Sequence, residues 1–293
     1  MDDSIASLLE KAGDGRISRV AAQCQAEQDR TDVSAVRARM ARYLDVMRES
    51  VREGMNAERR SLSGLTGGQA ARLFETASQG KTAGGSLLGR AAARAMAVAE
   101  CNAGMGRIVA APTAGSCGIL PAALLTAQEE YDLTDDQLTD ALLTAAMFGQ
   151  IIARRASISG AAGGCQAECG SAAAMAAAAL VELRGGTADM CAQACSFALM
   201  NSMGLVCDPV AGLVEIPCVY RNVGGVANAF SAADMALSGL RSPIPTDEVI
   251  DAMQSVGDQL PACLRETGEG GVAGTPTARQ IAHCVLECVS KIP

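Results

Sequence analysis

The chain has 293 residues and a net charge of −8, and it is 49% hydrophobic but only 2% aromatic. This acidic balance argues against a nucleic-acid surface, and the most apolar window is too short to cross a membrane. The core must be built from Ala, Leu, Val, Ile and Met, which favours closely packed helices. Because the charged, amphipathic N-terminus is unlike a signal peptide, we expect a cytoplasmic protein that binds neither nucleic acid nor membrane.

Helical spacing of apolar residues dominates the chain, and capping residues mark several helix starts. A helix runs from Val36, with Asp32 or Ser34 as its N-cap, and Thr134 and Thr187 are predicted N-caps of two later helices. The other predicted helices cover residues 87–102, 172–183 (closed by Gly185 and Gly186), 247–260 and 277–290. Strand signals are weak, and no alternation of strands and helices is found. The patterns predict an all-α protein, with an N-terminal helical segment at residues 1–60 and a single helical domain at residues 61–293.

Four Gly-rich loops interrupt these helices and mix Gly with Ser, Thr, Asn or Cys. They are Ser61–Ala70, Ala111–Ala122, Ser159–Gly170 and Cys207–Asn222, called here the first to fourth loops. Backbone amides and small polar groups in such loops can converge on a ligand. Each loop alone could be a tight turn between helices, but four together, two with candidate thiolates, favour a site. None has the spacing of a nucleotide-binding loop.

The twelve cysteines are interpreted as reduced thiols, because a long helical chain is unlike a small disulfide framework. Cys165, Cys207 and Cys218 stand apart, since we expect all three in irregular, Gly- or Pro-flanked loops. Cys169 and the i,i+4 pairs Cys191/Cys195 and Cys284/Cys288 lie on helix-like segments; the pairs could chelate a metal, but such cysteines are more often small buried hydrophobes. Cys117, in a Gly-rich loop, could be a pocket residue. Spacing alone does not establish a cluster, because no C-x-x-C is present. The sole histidine, His283, lies outside the four loops, which disfavours a histidine base or zinc site.

Six sequence blocks follow one another in a specific order. They are SLSGLTGG (61–68), GKTAGGSLLG (80–89), AECNAGMGRIVAAPTAGSCGILPA (99–122), GGCQAECG (163–170), CDPVAGLVEIPCVYRN (207–222) and GGVAGTPTARQIA (270–282). Together they resemble the alpha chain of the iron–sulfur L-serine dehydratases. The resemblance implies an all-helical fold and a [4Fe–4S] cluster on Cys165, Cys207 and Cys218, without pyridoxal phosphate. The iron that lacks a cysteine would bind the serine hydroxyl as a Lewis acid while a base removes the Cα proton. The aminoacrylate formed would hydrolyse to pyruvate and ammonia, a step of serine catabolism that feeds gluconeogenesis.

The same resemblance indicates where the remaining site residues lie. Lys81 is a candidate base or partner of the substrate carboxylate, and Ser61 and Ser63 are the other catalytic candidates. Further residues are candidates for substrate binding (Thr113, Ser116 and Asn222) or for positioning substrate or bracing the loops (Glu100, Asn102 and Arg221). Because too few residues precede Ser61 for a typical α/β domain, we expect a separate beta chain as partner, in a heteromeric or higher oligomer.

Three alternatives stay open at this point. The chain could be a related iron–sulfur lyase acting on L-threonine, L-cysteine or another hydroxy acid, since such substrates change pocket contacts only modestly. It could be a non-catalytic iron–sulfur sensor, which would retain the three cysteines but would not need the first and second loops. A helical scaffold with inert cysteines is the third alternative, and the ordered blocks disfavour it.

Overall fold

The computed structural model describes residues 3–289, with side chains up to residue 285. Within this range the chain forms thirteen α-helices and no β-strand, which confirms the predicted all-α single domain. The helices are α1 Ile5–Ala12, α2 Ile17–Asp29, α3 Val33–Gly54, α4 Gln69–Ser78, α5 Gly85–Ala103, α6 Ile119–Tyr131, α7 Asp135–Arg155, α8 Gly160–Cys165, α9 Ser171–Leu183, α10 Ala188–Ser202, α11 Cys218–Leu237, α12 Thr246–Gln259 and α13 Pro276–Val289. A π-helical turn, Gln166–Gly170, joins α8 to α9. None of the described helices is long and apolar enough to cross a membrane.

Capping residues begin the helices where the sequence predicted them. Asp32, and not Ser34, caps α3, because its side chain accepts a hydrogen bond from the Ala35 amide. Thr134 forms a reciprocal capping box with Gln137 at the start of α7, and Thr187 caps α10. These side chains satisfy backbone amides that have no partner inside the helix.

The central helix is α9, in which every residue is buried. It packs against α6, α7, α10 and α11. Seven of its thirteen residues are alanines, and such small side chains let neighbouring helices approach closely. A similarly close crossing joins α3 to α5, where a Cβ atom added to Gly54 would lie 1.8 Å from the Ala97 carbonyl oxygen. The core is therefore compact because of small residues at the helix crossings.

The N-terminal helices share the main core. α2 packs against α7, and α3 packs against both α5 and α7. Ile5, Ile17 and Leu44, from α1, α2 and α3, lie in the same hydrophobic cluster as α9. The segment boundary at residues 60 and 61 stays a prediction, and it falls in the irregular stretch between α3 and α4.

Two of the three singled-out cysteines are helical, so the expectation that all three lie in irregular loops was wrong. Cys165 is the last residue of α8, and Cys218 is the first residue of α11, whereas Cys207 lies outside the described helices. The third loop looked irregular because of its glycines; Gly164 has a φ of +76° and kinks the helix without ending it. In the fourth loop, Pro217 directly precedes α11. Proline is found in loops and also at helix starts, so it did not show that Cys218 begins a helix.

Candidate active site

Two thiols and a carboxylate meet where the third and fourth loops touch. The Cys165 sulfur, the Cys207 sulfur and a Glu168 carboxylate oxygen all lie within 4.8 Å of one another. Both cysteines are buried. The Gln166 amide donates to the Leu205 carbonyl at 2.9 Å, which holds the segment with Cys207 against the π-helical turn. Thiolate and carboxylate are metal-ligating groups, so this group can bind a metal.

The Cys165 sulfur is favoured as a thiolate. Hydrogen bonds from the Cys169 and Cys207 thiols, together with the nearby Arg221 guanidinium, lower the pKa of Cys165 to about 3 despite its burial. The pKa of the Cys207 thiol is raised, first because it hydrogen-bonds to Cys165 and then because it is buried. One sulfur of the group thus holds a negative charge that its neighbours share. The thiolate is the form in which cysteine binds metal.

Cys218, in the first turn of α11, lies near the negatively charged Cys165 sulfur. It is buried, and burial followed by the negative charge of Cys165 raises the pKa of its thiol to about 12. Its sulfur does not belong to the group of atoms within 4.8 Å. Sulfurs that ligate one iron–sulfur cluster bind different irons, so they need not touch one another.

Glycine backbone approaches this group closely. A Cβ atom added to Gly160 would lie 2.8 Å from the Cys207 sulfur, and one added to Gly115 would lie 2.6 Å from a Glu168 oxygen. Three buried thiols, a carboxylate and side-chain-free backbone fit a thiolate-held metal or iron–sulfur cluster. The predicted ligands are therefore compatible with that group in their chemistry and placement.

Glu168 links these sulfurs to the second loop. The Thr113 hydroxyl donates a hydrogen bond to Glu168 Oε1, and the Thr113 and Ser116 hydroxyl oxygens are 3.1 Å apart. Burial raises the pKa of Glu168 to about 7, the Thr113 bond opposes that rise, and the Cys165 charge adds to it. Sequence analysis missed Glu168. Its spacing three residues after Cys165, about one helical turn, is a signal that could have found it.

Asn222 joins the second loop to α11. Its Oδ1 accepts from the Gly118 amide at 2.8 Å, and its Nδ2 donates to the carbonyls of Gly115 at 2.7 Å and Cys218 at 2.9 Å. The side chain is completely buried. Both amide protons and the carbonyl oxygen are engaged, so in this geometry Asn222 braces the loops, and its contact with substrate stays a prediction.

Residues 15–273 match the family described as "Serine dehydratase alpha chain". The chain belongs to this family. It is 52% identical over 242 residues to the "Probable L-serine dehydratase, alpha chain" of Bacillus subtilis, covering 83% of this chain and 80% of that protein. It is 46% identical over 257 residues to the "L-serine dehydratase, alpha chain" of Peptoniphilus asaccharolyticus, covering 88% of each. With the "L-serine dehydratase" of Mycobacterium tuberculosis it shares 47% identity over 200 residues, 66% of this chain and 42% of that protein. The resemblance seen in the sequence blocks is thus confirmed.

The first loop of this serine dehydratase alpha-chain family member is held by a buried carboxylate from the fourth loop. Glu215 accepts hydrogen bonds from the Ser63 hydroxyl at 2.7 Å and from the Thr66 hydroxyl at 2.9 Å. The Ser61 and Ser63 hydroxyl oxygens are 3.2 Å apart. Since Glu215 precedes Cys218 by three residues, it connects Ser61 and Ser63 with the start of α11. Their catalytic role stays a prediction.

Lys81, Glu100 and Asn102 are the remaining candidates from the sequence blocks. Lys81 is exposed, in the turn between α4 and α5. Glu100 is buried and binds the amides that begin α4, at 3.1 Å from the Gln69 amide. Asn102 donates to the Ala114 carbonyl at 3.4 Å, beside the second loop. In this structure Glu100 and Asn102 therefore brace loops, and the role of Lys81 as a base stays a prediction.

His283, Cys284 and Cys288 lie on α13. His283 and Cys284 are exposed, and the Cys288 side chain is outside the described residues. The interpretation of Cys284 as a buried hydrophobe was therefore wrong, whereas Cys169, Cys191 and Cys195 are buried. Residues 262–275, which precede α13 and are here called the covering segment, reach the site instead. The Cys207 amide donates to the Leu264 carbonyl at 2.9 Å, and the Glu266 amide donates to the Cys207 carbonyl at 2.7 Å. The covering segment thus holds the backbone of Cys207 on both sides.

Proposed function

We propose that this chain catalyses the dehydration and deamination of L-serine to pyruvate and ammonia, with a [4Fe–4S] cluster held by Cys165, Cys207 and Cys218. The observation that supports this most directly is the group formed by the buried Cys165 and Cys207 with the partly buried Glu168, in a chain of the serine dehydratase alpha-chain family. When bound, the cluster supplies a Lewis-acidic iron that lacks a cysteine ligand. No pyridoxal phosphate is required for this chemistry.

Glu168 is the proton acceptor that the geometry supports best. Thr113 holds its Oε1, while Oε2 lies 3.9 Å from the Cys165 sulfur. A carboxylate oxygen beside the ligands can take the Cα proton, provided that the substrate lies within hydrogen-bond reach. Lys81, in its exposed turn, is the second candidate, and it could instead pair with the substrate carboxylate.

The hydroxyl groups of the first and second loops would orient the substrate. Thr113 and Ser116 adjoin Glu168, so they are the substrate-binding residues nearest the proposed acceptor. Ser61 and Ser63 would contribute from the first loop, whose position Glu215 fixes. Asn222 would keep the second loop against the helix that carries Cys218.

We also propose a separate beta chain as partner, in a heteromeric assembly. Two relatives named as alpha chains are covered over most of their length, whereas 42% of the Mycobacterium tuberculosis protein is covered. The alpha-chain designation of the matching family and of these two relatives supports a partner chain. A cytoplasmic location fits as well, since thiolate ligands persist in a reducing compartment.

The test is anaerobic reconstitution with iron and sulfide, with and without the partner chain, followed by measurement of pyruvate formed from L-serine. L-Threonine and L-cysteine serve as competing substrates. Cys165→Ala, Cys207→Ala and Cys218→Ala should each lose cluster absorbance and iron. Cys191→Ala is the matched control, because Cys191 is buried in α10 and should leave both unchanged.

Two outcomes would contradict the proposal. An intact cluster that forms no pyruvate from L-serine in the presence of the partner chain would exclude the activity. Loss of the cluster in Cys191→Ala, with retention in Cys165→Ala, would refute the ligand assignment.

A further inference from the structure

Arg221 reaches the Cys165 sulfur from the first turns of α11. Its Nη1 lies 3.4 Å from that sulfur and 2.7 Å from the Val206 carbonyl oxygen, to both of which it can donate. Its Nη2 lies 2.6 Å from Asp208 Oδ1, in an ion pair with little exposure of either side chain. A planar guanidinium can make these contacts simultaneously, so its orientation is defined from three sides.

Asp208 is itself fixed by the covering segment. It is buried, and its Oδ2 accepts a hydrogen bond from the Val272 amide at 2.6 Å. Gly271 has a φ of +56°, and a Cβ atom added there would lie 2.2 Å from Oδ2. The turn at residues 271 and 272 therefore closes directly over the carboxylate, which leaves Asp208 little freedom to release Arg221.

Arg221 also lines an open groove. The groove has a volume of about 720 Å³, and its lining includes Arg221, Cys169 and Asn228. Cys165 does not line it, although Arg221 and Cys169 both contact the Cys165 sulfur. Arg221 thus lies between the buried Cys165 sulfur and the groove.

We propose that Arg221 is a positioning residue for the cluster: it donates a hydrogen bond to the sulfur of the ligand Cys165, and Asp208 holds it in that orientation. The inference rests on the proposed function, since it takes Cys165 as a ligand. Hydrogen bonds and positive charge at a ligating sulfur stabilise the reduced form of an iron–sulfur cluster and raise its reduction potential. Screening by Arg221 also slows the arrival of oxidants from the groove.

The test compares Arg221→Gln, Arg221→Lys and Asp208→Asn with the wild-type protein after anaerobic reconstitution. Iron and sulfide content, the midpoint potential and the rate of absorbance loss in air are measured. Arg221→Gln should retain the cluster with a reduction equilibrium at least about tenfold less favourable, which is 59 mV for a one-electron couple, and should bleach faster. Arg221→Lys keeps the positive charge and Asp208→Asn keeps the arginine, so in both variants the midpoint potential should fall by a smaller amount than in Arg221→Gln.

Arg94→Gln is the matched control. Arg94 pairs with Glu129, and its side chain is 13% exposed against 15% for Arg221. It should leave potential and bleaching rate unchanged. Suppose that the wild-type protein binds a cluster and Cys165→Ala does not. Unchanged midpoint potentials in all three variants of Arg221 and Asp208 would then overturn this inference but not the proposed function. A wild type that loads no cluster would overturn the proposed function as well. If Arg221→Gln does not bind a cluster, the midpoint potential of Arg221→Lys tests the inference instead: a lowered potential supports it and an unchanged one overturns it.

Discussion

Replacing Asn222 with alanine tests whether the site depends on one buried amide. The change removes three hydrogen bonds and leaves the Gly118 amide and the Gly115 carbonyl buried without that partner. Each orphaned buried backbone group costs about 1–3 kcal/mol. We therefore expect Asn222→Ala to lower the free energy of unfolding by about 2–6 kcal/mol, a large part of the total for a typical domain.

The assay is urea unfolding of the cluster-free protein, followed by far-UV circular dichroism and tyrosine fluorescence to check that the transition is two-state. With an m-value of about 3 kcal/mol/M, a loss of about 4 kcal/mol moves the midpoint down by about 1.3 M. Asn228→Ala is the control, because Asn228 also makes three hydrogen bonds from α11 but is only partly buried. It should cost less than about 1 kcal/mol, since water can replace its partners. Equal midpoint shifts in the two variants would refute the reasoning.

Three further predictions concern the packing, the proton acceptor and a helix start. Gly54→Ala places a Cβ atom 1.8 Å from a backbone oxygen of α5, so the free energy of unfolding measured in urea should fall by about 3 kcal/mol or more. Gly224→Ala is the control, because Gly224 is helical and an added Cβ atom would meet nothing within 4 Å; it should raise the free energy of unfolding by about 0.5–1 kcal/mol. Equal effects would argue against the close crossing. Glu168→Gln should lower kcat for L-serine about 100-fold or more at full iron content, whereas Lys81→Met should mainly raise KM. The reverse pattern would make Lys81 the base. Thr134→Ala removes the N-cap of α7 and should lower the free energy of unfolding by about 1 kcal/mol, measured from the urea midpoint. An unchanged midpoint would mean that the capping box does not stabilise the protein.

The helices with clear caps could be predicted from sequence because capping is local chemistry. Asp32, Thr134 and Thr187 each bind an amide three residues away, so the signal lies within four consecutive residues. By contrast, α6 and α11 begin beside Gly118 and Pro217, and their first turns look like loop in composition. Proline and glycine mark a boundary without saying which side is helical.

The candidate site could be predicted only in part. Resemblance selected Cys165 and Cys207, which the structure brings together with Glu168. Spacing could not show that Arg221 contacts the Cys165 sulfur, because Arg221 comes from a segment 56 residues further along the chain. Such contacts depend on tertiary packing, and no local pattern contains them.

The two sides of the sulfur group differ in how firmly the fold anchors them. Cys165 continues through the π-helical turn into α9, whose amides should exchange with solvent only when the whole domain unfolds. Cys207 is held by backbone bonds to the covering segment, where Glu266 and Thr267 are exposed. That segment can open locally while the helical core stays folded. If the proposed cluster binds here, we expect iron and sulfide to enter through this segment after the helical core has folded.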